Sequence, residues 1–174
     1  MSTVIDGTSG VTAPSGAIFN GIASGTAVAS TSGTSIDFTG IPSWVKRITV
    51  MFQGVSTNAG NNLIIQLGTS SGFVSSGYLS ALGSINTSTA ATANATNGFL
   101  ISSNNASSIV SGIVTITNLT STTWVYSATT KSSTATISYA GGDISLAATL
   151  TQIRITDTAG TGVFDAGTIN ILCE

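Results

Sequence analysis

The sequence predicts an all-β protein, an antiparallel β-sandwich or jelly roll preceded by an extended, Gly-rich N-terminal arm. Three observations lead there. No window carries apolar residues at the 3.6-residue spacing of an amphipathic helix, whereas several segments alternate with a period of two. Ser, Thr and Gly fill 76 of the 174 positions, and the threonines, β-branched and stiff at χ1, suit extended chain better than helix. Gly, Asn and Asp clusters break the alternating segments into eight to ten short strands, the punctuation of a sandwich. The length fits one domain with a short arm.

Residues 1–33 read as the arm, because Gly7, Gly10, Pro14, Gly16, Gly21, Gly25 and Gly33 interrupt them every few positions. Residues 34–174 read as the sandwich domain. Gly40, Pro42 and Ser43 make a turn with φ fixed at the proline. Residues 45–53 follow as the strongest strand, with Ile48, Val50 and Phe52 on one face and Arg47, Thr49, Met51 and Gln53 on the other. A polar turn is expected over 55–62. Leu63, Ile65 and Leu67 begin a second strand that Gly68 ends.

Short strands are expected at 77–79 and 98–101, on either side of a loop at 86–97 whose threonines argue against a helix. Residues 110–119 and 123–130 read as a hairpin closed through Thr120, Ser121 and Thr122, with Trp124 and Tyr126 sharing a face. Residues 135–139 form a further strand, closed by a turn at Gly141, Gly142 and Asp143. A strand is expected over 146–156, with Ile153 and Ile155 on one face. Turn chemistry fills 157–167, and 168–173 is the last strand, with Ile169, Ile171 and Cys173 on one face.

Composition restricts the chemistry. The chain has no His, so neither a Ser-His-Asp triad nor a His-bearing zinc site can be built from it. Four basic residues against six acidic ones, net −2, form no basic stripe for nucleic acid phosphates. At 41% hydrophobic residues and a mean hydropathy of +0.45, the chain has apolar surface enough for a core and is not a disordered Ser/Thr/Gly tract. Only 6% of residues are charged, which leaves few groups to keep an exposed apolar surface from associating. Burial between subunits is the expected resolution. The first residues carry neither a basic segment nor a long apolar one, and no run approaches the roughly 18 to 20 apolar residues of a spanning helix. Neither a signal peptide nor membrane insertion is expected.

The acidic residues Asp143, Asp157 and Asp165 are expected as turn residues whose carboxylates bond nearby N–H groups, and no Asp-x-Asp-x-Asp loop suggests calcium. Lys46 and Arg47 adjoin at the start of a strand, so one of them is expected to approach the core or an interface. Arg154 needs a partner, with Asp157 or Asp165 expected. Cys173 is expected at an inward strand position, without a base to activate it. No catalytic residue, metal ligand or cofactor is expected, so the chain reads as a binding protein and not an enzyme. Loops at one end of the sandwich should carry the binding surface. The expected ligand residues are Asn86, Asn94, Asn104 and Asn105 in two loops, with Trp124 or Tyr126 as an aromatic platform.

Three segments carry a resemblance. The run from Ser35 to Ser56 (SIDFTGIPSWVKRITVMFQGVS), the opening from Val4 to Val11 (VIDGTSGV) and the ending from Phe164 to Leu172 (FDAGTINIL) resemble, in this order, C-terminal regions of tail fibre and related appendage proteins of tailed bacteriophages. The resemblance implies a virion protein, made in the host cytoplasm and assembled as a homotrimer. It also implies that the subunit meets a host-surface glycan or protein receptor and is joined to other tail or baseplate proteins through the arm. A capsid decoration protein, clamped to the shell by the same arm, is the alternative. The matching segments are strands and turns, so the resemblance transfers no catalytic residue.

Overall fold

A computed structural model describes residues 21–103, 106–133 and 135–174, together with the backbone of three short strands near the N-terminus. Those strands, β1 (Val4–Asp6), β2 (Gly10–Thr12) and β3 (Ile18–Phe19), form a small antiparallel sheet in the order β1-β2-β3. Fourteen further strands follow: β4 (Ala23–Ser24), β5 (Val28–Ala29), β6 (Ile36–Thr39), β7 (Arg47–Thr57), β8 (Leu63–Thr69), β9 (Gly72–Phe73), β10 (Leu79–Ile85), β11 (Ala90–Ala95), β12 (Phe99–Ser102), β13 (Val110–Thr120), β14 (Thr123–Lys131), β15 (Ile137–Ser145), β16 (Gln152–Asp157) and β17 (Phe164–Cys173). Every pairing is antiparallel, and the described residues contain no helix.

Two sheets make the sandwich. The larger runs β11-β10-β15-β14-β13-β7-β17-β4, with β5 also on β17, and the smaller runs β12-β8-β16-β6, with β9 on β8. The core between them follows from the alternation of the strands. Ile48, Val50 and Phe52 of β7, Val114 and Ile116 of β13, and Ile169 and Ile171 of β17 meet Leu63, Ile65 and Leu67 of β8 and Ile153 and Ile155 of β16. The β12 strand is buried on both sides. Phe99 and Ile101 enter the main core, while Leu100 joins Ile64 and Leu82 in a smaller cluster. Cys173 is buried at an inward position, where loss of hydration raises its thiol pKa.

Several sequence expectations are corrected by the pairing. The strand expected to end at 53 continues to Thr57, and the polar turn expected from 55 begins only after it. Gly54, at φ 67°, inserts an extra residue opposite β13, where the register jumps between Val110 and Gly112. Inward positions therefore shift from Ile48, Val50 and Phe52 to Val55 and Thr57, and strict alternation fails although the strand goes on. The loop expected at 86–97 contains β11, which forms a six-residue ladder with β10. The turn expected at Gly141, Gly142 and Asp143 lies inside β15. A Cβ on Gly142 would overlap the backbone carbonyl of Leu79, so glycine here serves the close approach of β10 and not a reversal. Of the strand expected over 146–156 only 152 onward is extended ladder. Leu146 and Leu150 anchor the preceding loop in the core.

Within the span expected to be an arm, β4 and β5 pair along β17. Ser30 is buried there, its Oγ donating to the carbonyl of Ala166 at 2.8 Å and its N–H to that of Gly167 at 2.9 Å.

The basic residues settle at the surface. Neither side chain of the basic pair is inside: Arg47 binds the Glu174 carboxylate, and Lys46 donates to Asn118 Oδ1 at 3.3 Å. Arg154 is paired with neither Asp157 nor Asp165. The β16–β6 register sets it opposite Asp37, which it grips in two bonds of 2.8 and 2.7 Å, and its guanidinium lies 4.1 Å from the centre of the Phe73 ring. The Asp37 bonds hold the guanidinium protonated.

Candidate functional site

The β10–β11, β12–β13 and β14–β15 connections lie at one end of the larger sheet, because the ladders set Ile85 at the end of β10 and Lys131 at the end of β14 on either side of Ile137 at the start of β15, with Ser111 near the start of β13 opposite Lys131. Between them is a cleft of about 200 Å³. Its walls are Ser84, Asn86, Thr89 and Ala91 from the first hairpin, Ser103 and Ser108 from the second connection, and Ser132, Ser133 and Thr136 from the third. Among the described residues no charged side chain lines it.

Local bonds shape each wall. Asn86 Oδ1 accepts the N–H groups of Ser88 at 2.9 Å and Thr89 at 2.8 Å and both their hydroxyls, so it builds the tight turn between β10 and β11. The N–H of Ile109 donates to the Ser132 carbonyl at 3.0 Å, tying the second connection to the third. Ser133 Oγ donates to Thr136 Oγ1 at 3.0 Å and accepts the N–H of Ala135 at 3.2 Å. Ser84, Ser108 and Ser132 are buried, so the floor of the cleft is hydroxyl and its rim is turn backbone. Such a surface both donates and accepts hydrogen bonds and carries no acid or base.

The outer face of the sheet beside the cleft carries exposed apolar side chains, with Lys131 opposite Ile137. Ile85 stands directly across from Ile137, and Tyr139 lies two residues further along the same face, opposite Gly83. All three side chains are about half exposed, and the Tyr139 ring lies within van der Waals range of the place a Gly83 Cβ would take. Ile113, on the same face of β13, is also exposed.

The expected ligand residues divide. Asn86 is on the cleft. Asn94 is exposed on β11 opposite Ala81, about 17 Å along the ribbon from Asn86 at 3.3 Å per residue, beside a separate hollow with Leu79 and Thr96. Asn104 and Asn105 lie outside the described residues, although Ser103 and Ser108 of their loop reach the cleft. The two aromatic platforms are core. Trp124 is 4% and Tyr126 5% exposed, and neither ring presents a face to solvent. Tyr126 stacks on Phe99 at 4.1 Å between centroids, and its hydroxyl meets Ser80 Oγ at 2.7 Å. Burial pushes its pKa up to about 12. Tyr78 is wholly buried edge-on to Phe99, with its hydroxyl accepting the N–H of Leu67 at 2.6 Å, and burial raises its pKa as well. They turn inward because β14 alternates, and its other face holds Ser127, Thr129 and Lys131. The exposed aromatic is Tyr139, whose signal in the sequence is its place between Ser138 and Ala140, out of phase with the inward small residues of β15.

The carboxylates do not converge. Asp143 is exposed on β15, Asp165 accepts from Ser56, and Asp157 is buried within its own loop. Among the described residues no three Asp, Glu or Cys side chains group as metal ligands. Compared with protein-family models, with curated proteins and with solved structures, the chain finds no match.

Proposed function

We propose that the chain is a virion structural protein, a tail-fibre-like subunit that contacts a host-surface glycan, and that it acts by binding and not by catalysis. The observation that carries this reading is the uncharged, hydroxyl-lined cleft beside Tyr139 and Ile137. A neutral sugar offers hydroxyls that exchange hydrogen bonds with Ser and Thr, and an apolar C–H face that packs on an aromatic or aliphatic side chain. One such cleft binds weakly, and a homotrimer presenting three in parallel adds avidity without new contacts. The resemblance of the 35–56 segment to phage tail appendages supports the setting, in which N-terminal residues join the subunit to other virion proteins.

The test uses the purified full chain. It should adsorb to permissive host cells and compete with phage adsorption while releasing no reducing sugar from host polysaccharide. Tyr139→Ala and a paired Ser132→Ala, Ser133→Ala change should each weaken adsorption about tenfold or more. Competition that fails on every permissive host moves the reading to capsid decoration. Release of oligosaccharide moves it to an enzyme.

A further inference from the structure

We infer that the free edge of β11 is a self-association surface, on which a second copy of the chain adds its own β11, antiparallel across a two-fold axis. β11 ends the larger sheet, and only β10 pairs with it. The phase of its hydrogen bonds follows from the turn that opens it. The N–H of Asn86 donates to the Thr89 carbonyl at 3.0 Å, so Ser84–Ala91, Leu82–Ala93 and Ser80–Ala95 are the bonded pairs of the ladder. Ala90, Thr92 and Asn94 therefore turn their N–H and C=O groups away from β10, and among the described residues nothing bonds to them. All three residues are exposed.

Folded proteins blunt such an edge with a charge, a proline, a bulge or a covering segment. β11 has none of these. Its register with β10 is unbroken, and residues 48–130 contain no Asp, Glu, Lys, Arg or Pro. The remaining edges are managed. β4 and β5 cover β17, β12 is buried along its length, and the short β6 carries Asp37 held by Arg154.

A second copy of β11 fits this edge in one register. With Thr92 opposite its own mate, Ala90 stands opposite Asn94 of the second copy and Asn94 opposite its Ala90, so every outward N–H and C=O group meets a partner. A shift by two residues leaves one of the three residues unpaired. On one face the threonines meet at the axis between Ala–Asn pairs, and on the other Ala91 meets Ala93. A Thr–Thr pair is favourable, no like charges oppose one another, and no bulky side chain holds the strands apart. Only small side chains are buried, so backbone bonds carry the contact and it forms above about 0.1 mM. It rests on neither the glycan reading nor the proposed three-fold association, and joins copies edge to edge with or without the latter.

Cysteine cross-linking of the full chain reads the register. Thr92→Cys meets its own mate at about 5.5 Å between Cα atoms, within disulfide reach. Two copies of Ala90→Cys lie four residues apart along the ribbon, about 13 Å, and out of reach. At about 1 mM chain with copper phenanthroline, Thr92→Cys should form disulfide dimers about tenfold or more faster than Ala90→Cys. An equal mixture of Ala90→Cys and Asn94→Cys should restore the fast rate. The native Cys173 is buried on β17, six strands from β11, and should leave the unaltered chain uncross-linked. In that unaltered chain, amide exchange at Ala90, Thr92 and Asn94 should slow about fivefold or more between about 10 µM and 1 mM. Thr92→Lys, at an exposed position, sets two ammonium groups opposite one another, so it should keep the folded spectrum and abolish the slowing. Equal cross-linking of Thr92→Cys and Ala90→Cys, or exchange at these amides that is independent of concentration, would overturn the inference and leave the edge to a strand of another protein.

Discussion

Asp157 shows how one side chain holds a loop. Its Oδ1 accepts the N–H groups of Ala159 and Thr161, each at 3.1 Å, and its Oδ2 accepts those of Gly162 at 2.9 Å and the Asn61 side chain at 3.0 Å. With the carboxylate buried, removing it strands three backbone donors. Asp157→Ala should cost about 2 to 4 kcal/mol in urea unfolding, and Asp157→Asn about half of that, since one acceptor oxygen remains. A loss below about 0.5 kcal/mol for Asp157→Ala would show that water replaces the carboxylate. The buried tyrosines make a second prediction, this one in pH. Tyr78 and Tyr126 have folded pKa values raised above the unfolded value of about 10, so the fold holds their protons more tightly than the unfolded chain does. Their contribution is fully present below about pH 10 and is lost as pH rises toward the folded values. Urea midpoints should therefore decline slightly from about pH 9, where the buried Cys173 thiol begins to count, and fall more steeply above about pH 10, with tyrosinate absorbance from these two rings appearing together with unfolding. Phenolate that forms while the circular dichroism stays native would contradict the burial.

At the scale of the element, Gly142 carries the sharpest prediction. It lies in the middle of β15, between β10 and β14, where an added Cβ meets the Leu79 carbonyl. Backbone cannot yield there as a flexible side chain could, so Gly142→Ala should force β10 outward and destabilise by about 2 to 3 kcal/mol. Protection from amide exchange should fall first in β10 and β11, which attach to the large sheet only through β15. Unchanged protection there would mean the ribbon is held by the Ile64, Leu82 and Leu100 cluster instead. The same glycine shows where sequence reading runs out. Long strands rich in β-branched residues, such as the hairpin of β13 and β14, were legible, and so was the face that Trp124 and Tyr126 share. Local composition hides the rest. A Gly-Gly-Asp triplet spells a turn unless the neighbouring strand that needs the space is known, and the Gly54 bulge breaks the period inside β7. The Asn86 turn was readable from its residue types, whereas the cleft depends on three connections meeting through a strand order that no local pattern encodes. Trp124 and Tyr126, expected as a platform, are core because alternation tells two faces apart without saying which one is covered.

The whole molecule leaves one face of its larger sheet with few charges among exposed apolar side chains. Arg47, Lys131 and Asp143 stand on it, while Ile85, Ile113, Ile137 and Tyr139 are each about half exposed there. Contiguous apolar surface of this kind on a chain with 6% charged residues favours association, and the proposed homotrimer would cover part of it. Light scattering at micromolar concentration should then give three times the mass of the 17.3 kDa chain. Ile113→Lys places a cation on the exposed face two strands from Tyr139 and leaves the buried core untouched, so the folded spectrum should persist while the trimer dissociates. Three like charges brought together at a three-fold contact repel, and raising the salt should restore part of the association. If the variant remains trimeric, the subunits meet elsewhere than at Ile113. If the unaltered chain is a clean, folded monomer, Ser and Thr hydroxyls keep this surface in solution without charge, and the avidity expected of three clefts is lost.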